Sequence, residues 1–172
     1  KGGEVVMGFL KLLEGIRNPV LDNIFLLVTA LGEELVFTTV ILGTLWCINK
    51  KMGFWMFFSW GTGTSTNQLM KAMCHVPRPW VQDPGFSAVE RALEGATGYS
   101  FPSGHTQSAF GLFGSLALFI KSKGMTIIAI ILIALTGFSR MYLGVHTPAD
   151  VLVAVIIGFA VLILMAWFIR IE

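Results

Sequence analysis

Long apolar runs dominate the chain, and short polar clusters separate them. The last run, 151–169, holds no charged residue. Before it come runs at 125–143, 103–120, 53–73 and 33–49. Each approaches the roughly 20 residues that a helix needs to cross the hydrocarbon core of a bilayer. These five stretches are expected to be membrane-spanning helices. The stretch 20–31 is apolar but for Asp22, Asn23 and Thr29, and is too short to cross alone. Asn18-Pro19 before it is a helix-start signal. Residues 1–17 interleave apolar positions with Lys11, Glu14 and Arg17, the pattern of a short interfacial helix or the start of a tilted one. The sequence therefore predicts an all-α, polytopic membrane helix bundle whose first helix is short or interfacial.

Two departures from the apolar pattern stand out. Within 53–73, Gly61-Thr-Gly-Thr-Ser-Thr-Asn67 is small and polar. In a membrane helix such residues favour close helix packing, with a ligand contact as the alternative. The second is the polar connection 74–102, which carries Pro77, Pro79, Pro84, Gly85, Gly95 and Gly98. A connection of that length in a compact domain is commonly functional.

Composition supports a membrane setting. Of 172 residues, 13% are charged and 55% hydrophobic, against about 25% charged in soluble domains. The mean hydropathy is +0.76. One membrane-embedded domain over 1–172 is expected. A net charge of +2 gives no footprint for nucleic acid. Cys47 and Cys74 are too few for a disulfide framework and are placed near opposite faces. The chain opens on Lys1 rather than Met, which implies trimming. Lys50, Lys51, Lys121, Lys123 and Arg170 fall on one side, joined by Lys11 and Arg17 if the first helix crosses. By the bias of basic residues toward the cytoplasm, that side is inner. The connection 74–102 then faces outward, to periplasm or exterior. Trp60 fits neither interface and is expected between helices.

Three polar clusters reach that outer side. Lys71 ends one span, and Arg78 sits between Pro77 and Pro79, so its backbone is held extended. Snorkelling to headgroups would also account for either cation. Pro102-Ser103-Gly104-His105 opens the next span. Ser103 suits an N-cap, Gly104 allows close backbone approach, and the free N–H groups suit an anion. The third cluster runs from Ser139 to Asp150. Gly144 suits a helix C-terminus, and Arg140 lies in the last turn before it. Thr147-Pro148 starts a new helix. The carboxylate of Asp150 leans back toward His146, as in catalytic triads. Three cations, a helix N-terminus and two histidines suit a multiply charged tetrahedral anion, with a nucleophile and an acid at hand. Zinc on His105, His146 and Asp150 is the rival chemistry, and three neighbouring cations would repel it.

The ordered set Lys71-x6-Arg78-Pro79, Pro102-Ser103-Gly104-His105 and Ser139-Arg140-x5-His146-x3-Asp150 resembles the signature of the type 2 phosphatidic acid phosphatase superfamily. No motif position departs from it. The resemblance implies six membrane helices and a phosphatase acting on a lipid phosphate or diphosphate without metal or other cofactor. It implies His146 as the nucleophile, Asp150 as its orienting partner and His105 as the acid. Lys71, Arg78, Ser103, Gly104 and Arg140 would hold the phosphoryl oxygens. His75 is outside the motif. A short chain of this kind suits envelope lipids in a bacterial cytoplasmic membrane. A phosphotransferase and a lipid-phosphate binder or transporter remain alternatives.

Overall fold

The computed structural model describes residues 2–171, with side chains from 3 to 168. The side chain of Arg170, counted above among the inner cations, lies outside that range. Every described regular element is a helix. In order they are α1 (Gly2–Gly15), α2 (Pro19–Ala30), α3 (Glu34–Gly43), α4 (Lys50–Cys74), α5 (Pro79–Gln82), α6 (Glu90–Leu93), α7 (Gly104–Ala109), α8 (Ser115–Ile120), α9 (Lys123–Tyr142) and α10 (Pro148–Ile171). Wide π-type turns, Thr44–Ile48 and Phe110–Gly114, extend α3 and join α7 to α8.

Capping chemistry explains the boundaries. The Asn18 side chain accepts from the N–H groups of Val20 and Leu21, and Pro19 takes the first helical position. The Asn49 side chain accepts from Met52 N–H at 3.0 Å. Lys50 and Lys51 therefore open α4 instead of closing the run before it. His75 ends α4 in the left-handed conformation, and Gly144 (φ +78) follows α9 in the same region. Any Cβ at Gly144 would also meet Arg17 and Phe86 below 3 Å.

Two helices, Lys123–Tyr142 and Pro148–Phe168, are long and apolar enough to cross a membrane. The pair Pro19–Ala30 and Glu34–Ile48, bent by 42°, qualifies as a third if taken as one span. The polar patch lowers the hydropathy of α4, and the α7–α8 rod is shorter. Only about a fifth of the apolar α10 window is covered by protein, 22%. Ile127, Ile131, Leu152, Ile156, Phe159 and Ile163 are all half or more exposed. So much bare aliphatic surface is stable only in lipid, so the chain is an integral membrane protein.

The core between the helices gathers Phe37, Ile41, Met56, Phe110, Leu112, Ile133 and Leu162. Trp60 packs against it, as expected of a tryptophan at neither interface. Helix α10 approaches α7–α8 closely: a Cβ at Gly158 would stand 2.5 Å from Phe110 Cγ. Gly158→Ala should therefore lower the thermal midpoint, by overpacking of about 1–3 kcal/mol. An unchanged midpoint in detergent would mean the helices are not in register here.

Chain direction places the chemistry. Helix α4 ends, α5 and α7 begin, α9 ends and α10 begins at one end of the bundle. A second cluster, Ala92, Ala96, Tyr142, Leu143 and Val145, fastens the 74–102 connection onto that end. Lys11 and Arg17 would join the inner cations only if the first helix crossed. Lys11 pairs with Asp83 at 2.7 Å, and Arg17 donates to the carbonyls of Tyr142 and Ser87. Both cations lie with the long connection and do not join Lys50 and Lys51. The reason is local: Glu14 accepts from Ser87, and Phe86 stacks under Arg17, so the end of α1 is stitched to that loop.

Candidate active site

Arg78 caps α5 with extended backbone (φ −69, ψ 155) ahead of Pro79. Its guanidinium is 5% exposed and held from four directions. Nε donates to Gly98 O at 3.0 Å, Nη2 to Thr97 O at 2.7 Å and Nη1 to Val145 O at 2.9 Å. Nη1 also lies 3.0 Å from His146 Nε2. Lys71, in the last turn of α4, donates to Tyr99 O at 2.9 Å. The 97–99 backbone thus braces both cations. Burial pushes Arg78 down to about 10, which leaves it charged at neutral pH.

His146 sits in the linker between α9 and α10 and is 2% exposed. Its Nδ1 is 3.4 Å from Asp150 Oδ2. Asp150 Oδ2 also accepts from Thr147 N–H at 2.7 Å and from the Ser100 hydroxyl. The Thr147 hydroxyl accepts from Asp150 N–H in return. A guanidinium can only donate. The contact with Arg78 therefore requires a lone pair on His146 Nε2, which places the proton on Nδ1, facing the carboxylate. Burial, opposed by the bond to Asp150 and reinforced by Arg140, depresses the imidazole's proton affinity. A depressed value means the second proton binds only at lower pH. At pH 6, where an ordinary histidine (pKa about 6.5) is largely charged, His146 should be neutral. Nitrogen-15 shifts should show the His146 ring neutral at pH 6, with its proton on Nδ1. A doubly protonated His146 there would contradict the arrangement.

Ser103 caps α7, accepting from Thr106 N–H at 3.4 Å, and its own N–H reaches Asp150 O at 3.0 Å. Its hydroxyl is fully buried and turned to Thr106 Oγ1. A cavity of about 310 Å³ is lined by Lys71, Arg78, Gly104, His105 and His146 together. Arg140 does not line it. Arg140 lines a neighbouring cavity of about 230 Å³, and His105 and Gly95 border both. Arg140 is 1% exposed, and Nη1 donates to Thr29 Oγ1 at 2.9 Å. Its Nε and Nη2 have no partner. Buried donors without acceptors are costly, and here they belong to a cation. Acceptor oxygens, anionic ones above all, would satisfy them. Asp150 stands behind His146, and His75 packs against Tyr99 away from the cavity. Among the described residues, no three His, Cys, Asp or Glu side chains are grouped to hold a metal.

The model of the PAP2 superfamily matches residues 52–171, a range that takes in every one of these groups from Lys71 to Asp150. This chain belongs to the PAP2 superfamily. Among its PAP2 relatives is the undecaprenyl-diphosphatase BcrC of Bacillus subtilis. The two are 31% identical over 83% of this chain and 74% of the relative. Phosphatidylglycerophosphatase B of the same organism is 31% identical, over 89% and 77% of the two chains. The fold is similar to the crystal structure of a transmembrane PAP2-type phosphatidylglycerolphosphate phosphatase from Bacillus subtilis. That similarity has a TM-score of 0.85 at 26% identity, and covers 98% of this chain and 86% of the other.

Three supporting residues of this PAP2 site escape a reading of the motifs. Ser100 holds Asp150, Thr29 holds Arg140, and Arg17 ties the Tyr142 carbonyl to the long connection. Thr29 and Arg17 reach across more than a hundred residues, and nothing in local spacing marks them. Ser100 lies two residues before the second motif, and its nearness to that motif is the one signal that could have found it.

Proposed function

We propose that this protein is a membrane phosphatase that hydrolyses lipid phosphates through a phosphohistidine. The observation that carries the reading is the state of His146. Its Nε2 lone pair meets the Arg78 guanidinium beside a cavity lined by Lys71 and Arg78, while Nδ1–H faces a fixed carboxylate. That is the geometry of an oriented nucleophile beside an anion site.

In the reaction, Lys71, Arg78 and the Gly104 N–H hold the phosphoryl oxygens from one cavity, and Arg140 does so from the neighbouring one across His105. His146 Nε2 attacks phosphorus as the ester P–O bond breaks. His105 gives its proton to the departing alkoxide. Water then attacks the phosphohistidine, His105 takes a proton from it, and inorganic phosphate leaves with His146 restored. Asp150 stabilises the imidazolium character that develops on His146. Charge stabilisation of this kind is commonly the largest single catalytic contribution.

The membrane placement supports the same reading. We take α1 as an interfacial helix at the site end, with the bent α2–α3 pair, α4, α7–α8, α9 and α10 completing six membrane helices in one domain. Lys50, Lys51, Lys121 and Lys123 lie at the other end, so the positive-inside bias still turns the site outward. In a bacterial cytoplasmic membrane that face is periplasmic. Substrate enters sideways from the outer leaflet, its headgroup meeting the cations at the interface.

The test is phosphate release from vesicle-borne lipid phosphates by the purified chain in chelator-containing buffer. The same rate with and without chelator is expected, since cations on the protein do the work of a metal. Loss of activity that added divalent ions restore would overturn this mechanism.

A further inference from the structure

The cavity does not end at the phosphate groups. It continues deeper along α4 and α7, one helical turn to Asn67 and a second to Thr64, at about 5.4 Å per turn. Asn67 and Thr64 follow Lys71 inward on α4, and Ser108 follows His105 on α7. Asn67 is 2% exposed. Its Nδ2 donates to Pro102 O at 3.4 Å, which sets the amide's orientation. Its Oδ1 is left without any partner. That oxygen stands 3.7 Å from where a Cβ on Gly104 would lie, at the mouth of the phosphate site. The Thr64 hydroxyl is likewise unpartnered. The run that the sequence suggested for helix packing does so only in part. Gly63 faces Gln107, while Thr64 and Asn67 face the cavity.

The chemistry of this extension is selective. It adds no cation beyond Lys71 and Arg78, and Glu34 stands on its rim. A second phosphate would find neutral donors there, Thr64, Gln68 and Ser108, but no further cation, and the bare Asn67 oxygen and the Glu34 carboxylate would oppose it. A hydroxyl would meet an acceptor that lacks a donor.

We infer that Asn67 Oδ1 forms a subsite for a hydroxyl group of the substrate, so that the pocket favours phosphate monoesters bearing a free alcohol close to the phosphate. Such a hydroxyl, two carbons from the ester oxygen, reaches about as far as the helical turn between Lys71 and Asn67. Glycerol-type phosphates have it, whereas diphosphates place an anion there instead. The inference rests on the proposed phosphate site and adds the leaving-group class.

The probes are an acylglycerol phosphate with a free middle hydroxyl and its deoxy analogue, which lacks only that group. Affinity is measured on the full chain carrying His146→Ala, so that no turnover intervenes. Turnover of both lipids is measured on the unaltered protein. The hydroxyl-bearing lipid should bind at least about tenfold more tightly, because a site built for a hydroxyl leaves its acceptor unpaired when the group is absent. In a second chain carrying Asn67→Leu with His146→Ala, the two affinities should converge. Asn67→Ser serves the same comparison if the leucine variant does not fold. Equal affinities in the first chain would overturn the subsite, as would a preference that survives both Asn67 variants. Absence of phosphate release from either lipid bears on the phosphatase reading alone, since the affinity comparison does not need turnover.

Discussion

His146→Ala should reduce phosphate release by about 10⁴-fold or more, the scale on which loss of a nucleophile or its base acts in triad enzymes. The loss should fall on turnover rather than binding, because Lys71, Arg78 and Arg140 remain to hold the lipid phosphate. The variant should fold: His146 makes few bonds, and Arg78 keeps three carbonyl partners without it. Substrate affinity within a few-fold of the original, alongside vanished turnover, is the expected pair of results. A rate within tenfold of the original would show that another group carries the phosphoryl transfer.

Arg140→Met should separate activity from stability. Arg140 is a buried cation with one hydrogen bond, to Thr29, and two idle donor atoms. Burying such a charge costs folding free energy, and an apolar residue of similar volume is commonly neutral or stabilising in its place. The thermal midpoint should therefore hold or rise. Activity should fall by about 10²–10³-fold, the loss found when one preorganised donor to a transition-state oxyanion is removed. Arg140→Lys should recover only part of it, since an ammonium cannot present the guanidinium's two parallel donors. A variant that loses stability and activity together would make Arg140 a structural residue.

The parts of this molecule legible in its sequence are those governed by local rules. Asn18-Pro19, Ser103 and Thr147-Pro148 start helices where capping chemistry requires, and Gly144 follows one where a left-handed residue is needed. The closeness of His146 and Asp150 follows from helix geometry alone. The open points were those where one residue type serves two purposes. Lys50 and Lys51 lie between two predicted runs, and only the Asn49 cap assigns them to the start of the second. Lys11 and Arg17 would be inner-face charges only if the first helix crossed, and what decides it, their pairing with Asp83, Ser87 and Tyr142, lies far along the chain. The polar run around Asn67 read as packing because small residues pack helices and line cavities equally well. Deciding between these needs to know which wall faces the run. The number of membrane crossings was also only partly readable. The bend between α2 and α3 and the polar face of α4 blur the length and hydropathy on which span counting depends.

The central claim is covalent transfer of the phosphoryl group to one nitrogen. Rapid alkaline quenching of the enzyme during turnover of a ³²P-labelled lipid phosphate, followed by peptide mapping, tests it directly. The label should appear on His146, at Nε2, and should vanish in His146→Ala. Steady turnover with no labelled histidine, or label on His105 instead, would contradict it.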